Sequence, residues 1–395
     1  MRLGWDQVRA RRLERHFLSR RAPPERLVDV VRGICGIHAQ VRPSAELALG
    51  LRVDGFTRRD LAAALWERRT LVKTYGIRGT VHLFPSDELG LWLSAFAANR
   101  RADDERRLAY LGLSREQMDA IIEAIGDALE ERRLSRDELG AQVARRVGAA
   151  VVERTVSAFG GRWPVWTSGL GAAANSGRLC FGPTEGTRVT FESPRRWLGA
   201  SKQVDGTDAL REIFRRYLAA YGPARHDHFA QWFAMPASRA RDLADSLGDE
   251  LRTVEVDGTR LLQLARDDSI RPRPARGVLL LPRFDPFVVG SHPRDELVPP
   301  DTVARARATG LLPQRAGTGR QFLVGPMPVL LVDGAVAGVW EQRRARGRVD
   351  LRVQAFVRLA AEERDGVEAA AARVGAVLEE EVRLSFGEIS TRPHL

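Results

Sequence analysis

His38 and Gln40 stand two positions apart, with Ala39 between them, in the run Ile34-Cys35-Gly36-Ile37-His38-Ala39-Gln40-Val41-Arg42-Pro43. A neutral imidazole nitrogen accepts a hydrogen bond, and a carboxamide both donates and accepts, so together they are equipped to orient one water molecule. The backbone decides whether they cooperate. On a continuous helix, residues two apart point about 200° apart and cannot share a ligand. On extended chain they project to the same side. Arg42 precedes Pro43 and is biased toward extended geometry. If that extension reaches back to Gln40, the two side chains face the same way. The plainer reading, a histidine and an amide closing a helix C-terminus, stays open at this point.

Other segments carry candidate chemistry. Read as a strand, Arg78-Gly79-Thr80-Val81-His82-Leu83-Phe84 places Arg78, Thr80, His82 and Phe84 on one face. That face is suited to a nucleic-acid backbone or to the His38 region, or is simply the exposed side of a hairpin. In Leu279-Leu280-Leu281-Pro282-Arg283-Phe284-Asp285-Pro286-Phe287 an apolar strand ends in a proline-bracketed turn carrying Arg283 and Asp285. Asp285 either orients another polar group or caps the turn. Arg162-Trp163-Pro164-Val165-Trp166 reads as the entry to a recognition helix, with both tryptophans in the core. His226 and His228 read as a solvent-facing helical pair, because no third metal ligand has a suitable spacing. A phosphate-cradling Gly-Lys-Ser/Thr loop, Gly-x-Gly-x-x-Gly, His-Glu-x-x-His, Cys-x-x-Cys and Gly-x-Ser-x-Gly are all absent.

The elements that must position these residues follow a recurring order of short helices followed by a β hairpin. In one group, helices Asp208–Ala220, His226–Phe233 and Ala237–Leu247 precede strands Leu251–Val256 and Thr259–Leu264, joined by Asp257-Gly258, a two-residue hairpin signal. In another, Ser114 with Gln117 and Ser135 with Glu138 are capping-box spacings, Pro164–Ser176 is the third helix, and Leu179–Phe181 pairs with Arg188–Phe191. In the first, Asp6–Leu18, Pro24–Ile37 and Thr57–Trp66 precede Leu71–Tyr75 and Thr80–Phe84. Leu89–Leu108 reads as a connecting helix, Ser193–Thr207 as a linker and Arg271–Pro274 as a stiff basic connector. Beyond it lie β-type runs at Gly277–Leu281, Phe287–Val289, Val329–Val332, Val336–Trp340 and Val349–Phe356, and a closing helix Glu362–Glu380. The expected class is α+β: three tandem winged-helix units at residues 1–110, 111–195 and 205–270, then a β-barrel-like domain at 275–395.

Composition narrows the partner. The 395 residues carry 62 Lys+Arg against 51 Asp+Glu, a formal net charge of +11, which suits a polyanion. Only Lys73 and Lys202 are lysines. Cys35 and Cys180 read as buried reduced thiols, and no apolar run is long enough to cross a bilayer, so a cytoplasmic, nucleoid-associated protein is expected.

Taken together, the segments Gly36–Gln40, Arg78–His82, Leu281–Pro286 and Val332–Trp340 resemble, in order, those of the AlkZ-like family of winged-helix DNA glycosylases. The resemblance implies tandem winged helices forming a concave basic surface for double-stranded DNA. It implies hydrolysis, without metal or other cofactor, of the N-glycosidic bond of N7-alkylated guanine, including bulky adducts and in some members interstrand crosslinks. The family's Gln-apolar-Gln or Gln-apolar-Asp motif falls on His38-Ala39-Gln40, with His38 in the place of a glutamine. His38 would orient the water or accept its proton, and Gln40 would hold the water or the sugar. Arg42, Lys73, Arg78, Arg162 and Arg178, with Thr80, His82 and Arg283, would meet the DNA, and Asp285 would support the site. The competing reading is a non-catalytic winged-helix DNA binder or regulator. No heptad dimerisation element is visible, so a monomer is expected, and self-resistance to a genotoxic metabolite is among the roles the family allows.

Overall fold

The computed structural model describes residues 2–99, 104–158, 161–202, 204–268, 275–312, 319–345 and 347–389. They form two compact units, residues 1–61 with 214–394, and residues 62–213.

In the first unit, the Trp5–Arg15 helix supplies two fully buried guanidinium groups. Arg11 donates to the carbonyls of Leu218, Ala219 and Gly222 and pairs with Asp267. Arg12 donates to the carbonyls of Pro223 and His292, at 3.0 and 2.7 Å. Most of these acceptors are at or just past the end of the Gly206–Tyr221 helix, where backbone carbonyls lack intrahelical partners and attract cations. The helices His226–Phe233 and Ala237–Ser246 follow, then strands Leu251–Val256 and Thr259–Leu264, antiparallel with Val256 opposite Thr259. Asp257 and Gly258 at the turn both have positive φ, 43° and 80°, as a primed hairpin turn requires. An unforeseen strand, Arg2–Leu3, pairs parallel to Leu251–Val256, and Leu3, Trp5 and Val8 pack on Val254, Val256 and Leu261.

The same unit holds a curled five-stranded sheet in the order Val278–Leu281, Val329–Val332, Ala335–Ala345, Arg348–Ala355, Glu381–Phe386. The first three pairings are antiparallel and the last is parallel. A parallel neighbour needs a crossover, which the Ala361–Leu378 helix provides, burying Val367, Ala370, Ala371 and Val374. The Arg42–Gly50 helix approaches it so closely that a Cβ on Gly50 would lie 2.4 Å from Val377 Cγ1.

The second unit contains the hairpin Leu71–Tyr75/Val81–Pro85 and helices Leu89–Ala98, Asp104–Leu111, Arg115–Glu131 and Arg136–Val147. Ser114 and Ser135 cap the last two through Gln117 and Glu138, as their spacing predicts. Cys180–Phe181 and Thr190–Glu192 pair as expected, joined by Leu134–Ser135.

Several expectations fail for definable reasons. Phe287–Val289 is not a strand: Asp285 caps it and Pro286 opens a helix, Pro286–Gly290. Pro43 does not extend Arg42; Val41 is the extended residue (φ −111°, ψ 102°), and the proline sits in the first helical turn, where no N–H is needed. Arg162 and Trp163 lie on a hairpin strand, Gly161–Pro164, which runs directly into the helical turns Val165–Gly169 and Leu170–Asn175, so the expected helix entry is present but is reached from a hairpin. Leu89–Leu108 does not continue beyond Ala98 as one described helix, and Ser193 starts a short helix, Pro194–Leu198, inside the presumed linker. Arg78 adopts a left-handed turn (φ 58°) before the strand begins at Val81, so it is not on a strand face with His82. His228 is buried, not solvent-facing. The connector Arg271–Pro274 lies outside the described residues. No described helix is long and apolar enough to cross a membrane.

Two histidines are kept neutral in the first unit. Burial, reinforced by the charges of Arg52, Arg12 and Arg11, holds His16 well below its ordinary value of 6.5. Burial likewise lowers His228 to about 3. The unfolded chain takes up these protons near pH 6.5 while the folded chain refuses them, so the stabilisation is complete above that pH and is lost as pH falls. Urea unfolding at a series of pH values below 6.5 is expected to show a loss of up to about 1.4 kcal/mol per pH unit for each histidine, and His16→Leu should remove one of the two contributions.

Candidate active site

The segment carrying His38 begins where the Leu27–Gly33 helix stops. Cys35 and Gly36 both take positive φ, 63° and 94°, and the Gly36 N–H closes the helix on the Val31 carbonyl at 2.9 Å. These two left-handed residues swing the chain into the short strand Ile37–His38. The backbone is therefore extended at His38 and non-helical at Gln40, which removes the arrangement in which the two residues point away from each other on a helix. His38 is buried, with 7% of its surface exposed, and Gln40 is exposed. The tripeptide runs from interior to surface.

The His38 ring stacks on Phe284, with centroids 4.6 Å apart and planes inclined by 27°. Phe284 belongs to the proline-bracketed turn and has φ 60°. Its N–H donates to the Gly325 carbonyl at 2.8 Å. The next residue, Asp285, accepts both arms of the Arg52 guanidinium at 2.7 and 2.8 Å and the Phe287 N–H at 2.9 Å. Both side chains of this ion pair are wholly buried. Arg52 also donates to the Ala48 carbonyl at 2.9 Å. Asp285 thus performs both roles considered for it, orienting a polar group and capping a helix. Tyr221 Oη lies 3.4 Å from the Ile34 carbonyl and 3.2 Å from that of Pro286. Burial pushes its phenol well above the ordinary range, so it remains a donor. His16 sits edge-on to Tyr221 and Phe287, at 4.7 and 5.5 Å.

The remaining candidates are distributed between the units. In the first, Arg42 pairs with the buried Glu46 at 2.8 Å, which Arg58 also approaches at 3.7 Å, and Arg283 is half-buried. In the second, Lys73 lies 4.8 Å over the Phe181 ring and Arg78 is exposed at the hairpin tip. Thr80 Oγ1 donates to the Ile77 carbonyl. The buried His82 stacks on Phe84, and its Nδ1 lies 3.0 Å from the Thr80 carbonyl, which assigns the proton to Nδ1. Arg162 bonds across its hairpin to Thr155, and Arg178 pairs with Glu123 at 2.7 Å and approaches Asp127 at 3.8 Å. Among the described residues, no group of three His, Cys, Asp or Glu side chains is placed to hold a metal ion.

The sequence model of the family described as DNA glycosylase AlkZ-like matches residues 31–377, a span that takes in His38-Ala39-Gln40, Arg52 and the Phe284–Asp285 turn. The chain belongs to the AlkZ-like DNA glycosylase family. The interstrand DNA cross-link repair glycosylase of Streptomyces sahachiroi is 32% identical over 351 residues, covering 86% of this chain and 88% of that protein. The solved structure of Streptomyces sahachiroi DNA glycosylase AlkZ is similar at a TM-score of 0.81 and 29% identity, covering 98% of this chain and 100% of that one.

In this AlkZ-like chain, Arg52, Phe284, Tyr221 and Glu46 escaped the sequence reading. A buried Asp285 demands a cation, but nothing distinguished Arg52 among so many arginines. Removing one partner of such a pair strands a buried charge and costs about 3–5 kcal/mol, whereas replacing both with apolar groups is often neutral. Asp285→Asn is accordingly expected to lower the urea midpoint sharply. Arg52→Met combined with Asp285→Leu should recover most of that loss.

Proposed function

We propose that this protein is a DNA glycosylase that hydrolyses the N-glycosidic bond of N7-alkylated guanine, bulky and cross-linked adducts included, using a water held by His38 and Gln40. The observation that carries the reading is that the family's motif position lies on extended chain, with His38 packed beneath the surface and Gln40 on it. Alkylation at N7 places a formal positive charge on the base. The base therefore departs as a neutral purine and needs no strong general acid. What remains is to hold a water against the anomeric carbon and to tolerate an oxocarbenium ion, tasks of positioning and aligned dipoles. His38 orients the water and accepts its proton, and Gln40 holds the water or the sugar through its amide. No step is assigned to a metal. The cross-link repair activity named for the Streptomyces sahachiroi relative supports extending the substrates to crosslinks.

The three helix–hairpin groups are proposed to act as winged helices on duplex DNA, with Arg42, Lys73, Arg78, Arg162, Arg178 and Arg283 near phosphates. Arg78 is exposed at its hairpin tip, and Arg178 pairs with Glu123 and approaches Asp127. Arg78→Ala should therefore reduce the slope of log affinity against log salt by about 0.9, and Arg178→Ala by clearly less, in duplex titrations across a salt series.

Incubation with a duplex carrying N7-methylguanine, or a bulkier N7 adduct, should release free base and leave alkali-labile sites, in the presence of EDTA as in its absence. His38→Ala and Gln40→Ala are each expected to slow single-turnover release by roughly 10²–10⁴-fold. The wild-type rate should fall as pH drops through the imidazole titration, a limb absent from His38→Gln. Binding without base release from any alkylated duplex would leave the non-catalytic reading, which the histidine at position 38 keeps in play.

A further inference from the structure

We infer that Phe284 is a positioning residue for His38. Its ring fixes the plane of the imidazole, and the Arg52–Asp285 pair and Tyr221 hold that ring in register. The inference rests on the reading of His38 as the water-orienting group and adds a residue to it.

The first argument is the clamp. The stretch from Ile34 to Arg52 contains the whole candidate motif, and it is fastened near each end to the same short turn. At one end Tyr221 Oη lies 3.2 Å from the Pro286 carbonyl and 3.4 Å from that of Ile34, and donates its single proton to one or the other. At the other, the Arg52 guanidinium grips Asp285 with two bonds of 2.7 and 2.8 Å. Phe284 immediately precedes Asp285, and its own N–H is tied to Gly325. Turn and motif therefore move as one body, and the 4.6 Å separation of the two rings is set by buried contacts on both sides.

The second argument is the geometry of stacking. A face-to-face contact at 27° restrains rotation of the imidazole about its bond to Cβ. Both ring nitrogens have their lone pair or proton in the ring plane, so a partner against the face restrains the ring without occupying either nitrogen. A hydrogen-bonded support would fix the ring equally well but would use one nitrogen. An aliphatic side chain would occupy the volume without defining a plane.

The third argument is the backbone. Phe284 has φ 60°, a region disfavoured for bulky side chains and easy for glycine or asparagine. It is also only half-buried, so core filling does not explain the phenyl group. A strained, partly exposed aromatic residue is best accounted for by what its ring touches.

The test compares wild type with Phe284→Tyr, Phe284→Leu and Phe284→Gly, using a duplex carrying N7-methylguanine. Single-turnover release, duplex affinity, thermal midpoint and the ring-proton NMR shift of His38 are read for each. Phe284→Tyr should stay within about twofold of the wild-type rate, while Phe284→Leu and Phe284→Gly should lose about 100-fold with affinity unchanged. The His38 shift should lose its ring-current displacement in the leucine and glycine variants and keep it in the tyrosine variant. Wild-type release by Phe284→Leu, or a rate loss matched by equal losses of affinity and midpoint, overturns the inference alone. Absence of release by wild type itself overturns the glycosylase reading, and the positioning role falls with it.

Discussion

The Arg52–Asp285 ion pair is the constraint on which the first unit depends. Both side chains are wholly excluded from solvent, and burying two charges is tolerable only when their hydrogen-bonding capacity is answered. The geometry meets most of that condition, with two bonds between them, one more from Arg52 to Ala48 and one from the Phe287 N–H to Asp285, while the buried Arg52 Nε has no hydrogen-bond partner among the described residues. The partners are 233 positions apart in sequence. An early helix-and-turn segment and a late β-rich segment must therefore meet before either is complete. The candidate active site is a product of that meeting, because its histidine comes from one segment and the ring stacked on it from the other.

Arginine is used in this chain as a structural tie as much as a surface charge. Arg11, Arg12 and Arg294 spend their donors on backbone carbonyls, binding the first helix to the end of the Gly206–Tyr221 helix and the loop around His292 to its neighbours. Planar, permanently charged and weakly hydrated, the guanidinium is suited to this use where an ammonium is not. Burial even draws Arg12 down to about 10 without removing its charge at neutral pH. The formal excess of +11 thus overstates the charge presented to a polyanion. Part of it is internal, as at the buried Arg12, whose side-chain bonds to Pro223 and His292 go to uncharged carbonyls.

Local signals were legible and long-range ones were not. Leu251–Val256 and Thr259–Leu264 emerge with the boundaries their alternation and Asp-Gly turn predict, and both serine capping boxes form. Phe287–Val289 misled because apolar, β-branched composition was weighed above the Asp-Pro start signal directly before it. Pro43 misled because a proline that ends one element also opens another, hiding the Arg42–Gly50 helix. Arg2–Leu3 is too short to show any period. The motif residues were visible at the site, but their support was not. No pattern marks Arg52, and the left-handed backbone at Phe284 and Cys35 is written with residues that do not advertise it. These features arise from tertiary contacts, which overrule local preference.

The ties described along the path from Ile34 to Arg52 belong to Gly36, Tyr221, Arg52 and Asp285. Much of the chain path at position 38 is therefore set by groups other than the side chain it carries. Histidine and glutamine codons differ by a single base, so one nucleotide change exchanges a titratable acceptor for a pH-indifferent one within an unchanged mould. A fold with this division of labour would let a point mutation at position 38 retune the chemistry proposed there while the ties that shape the chain stay in place.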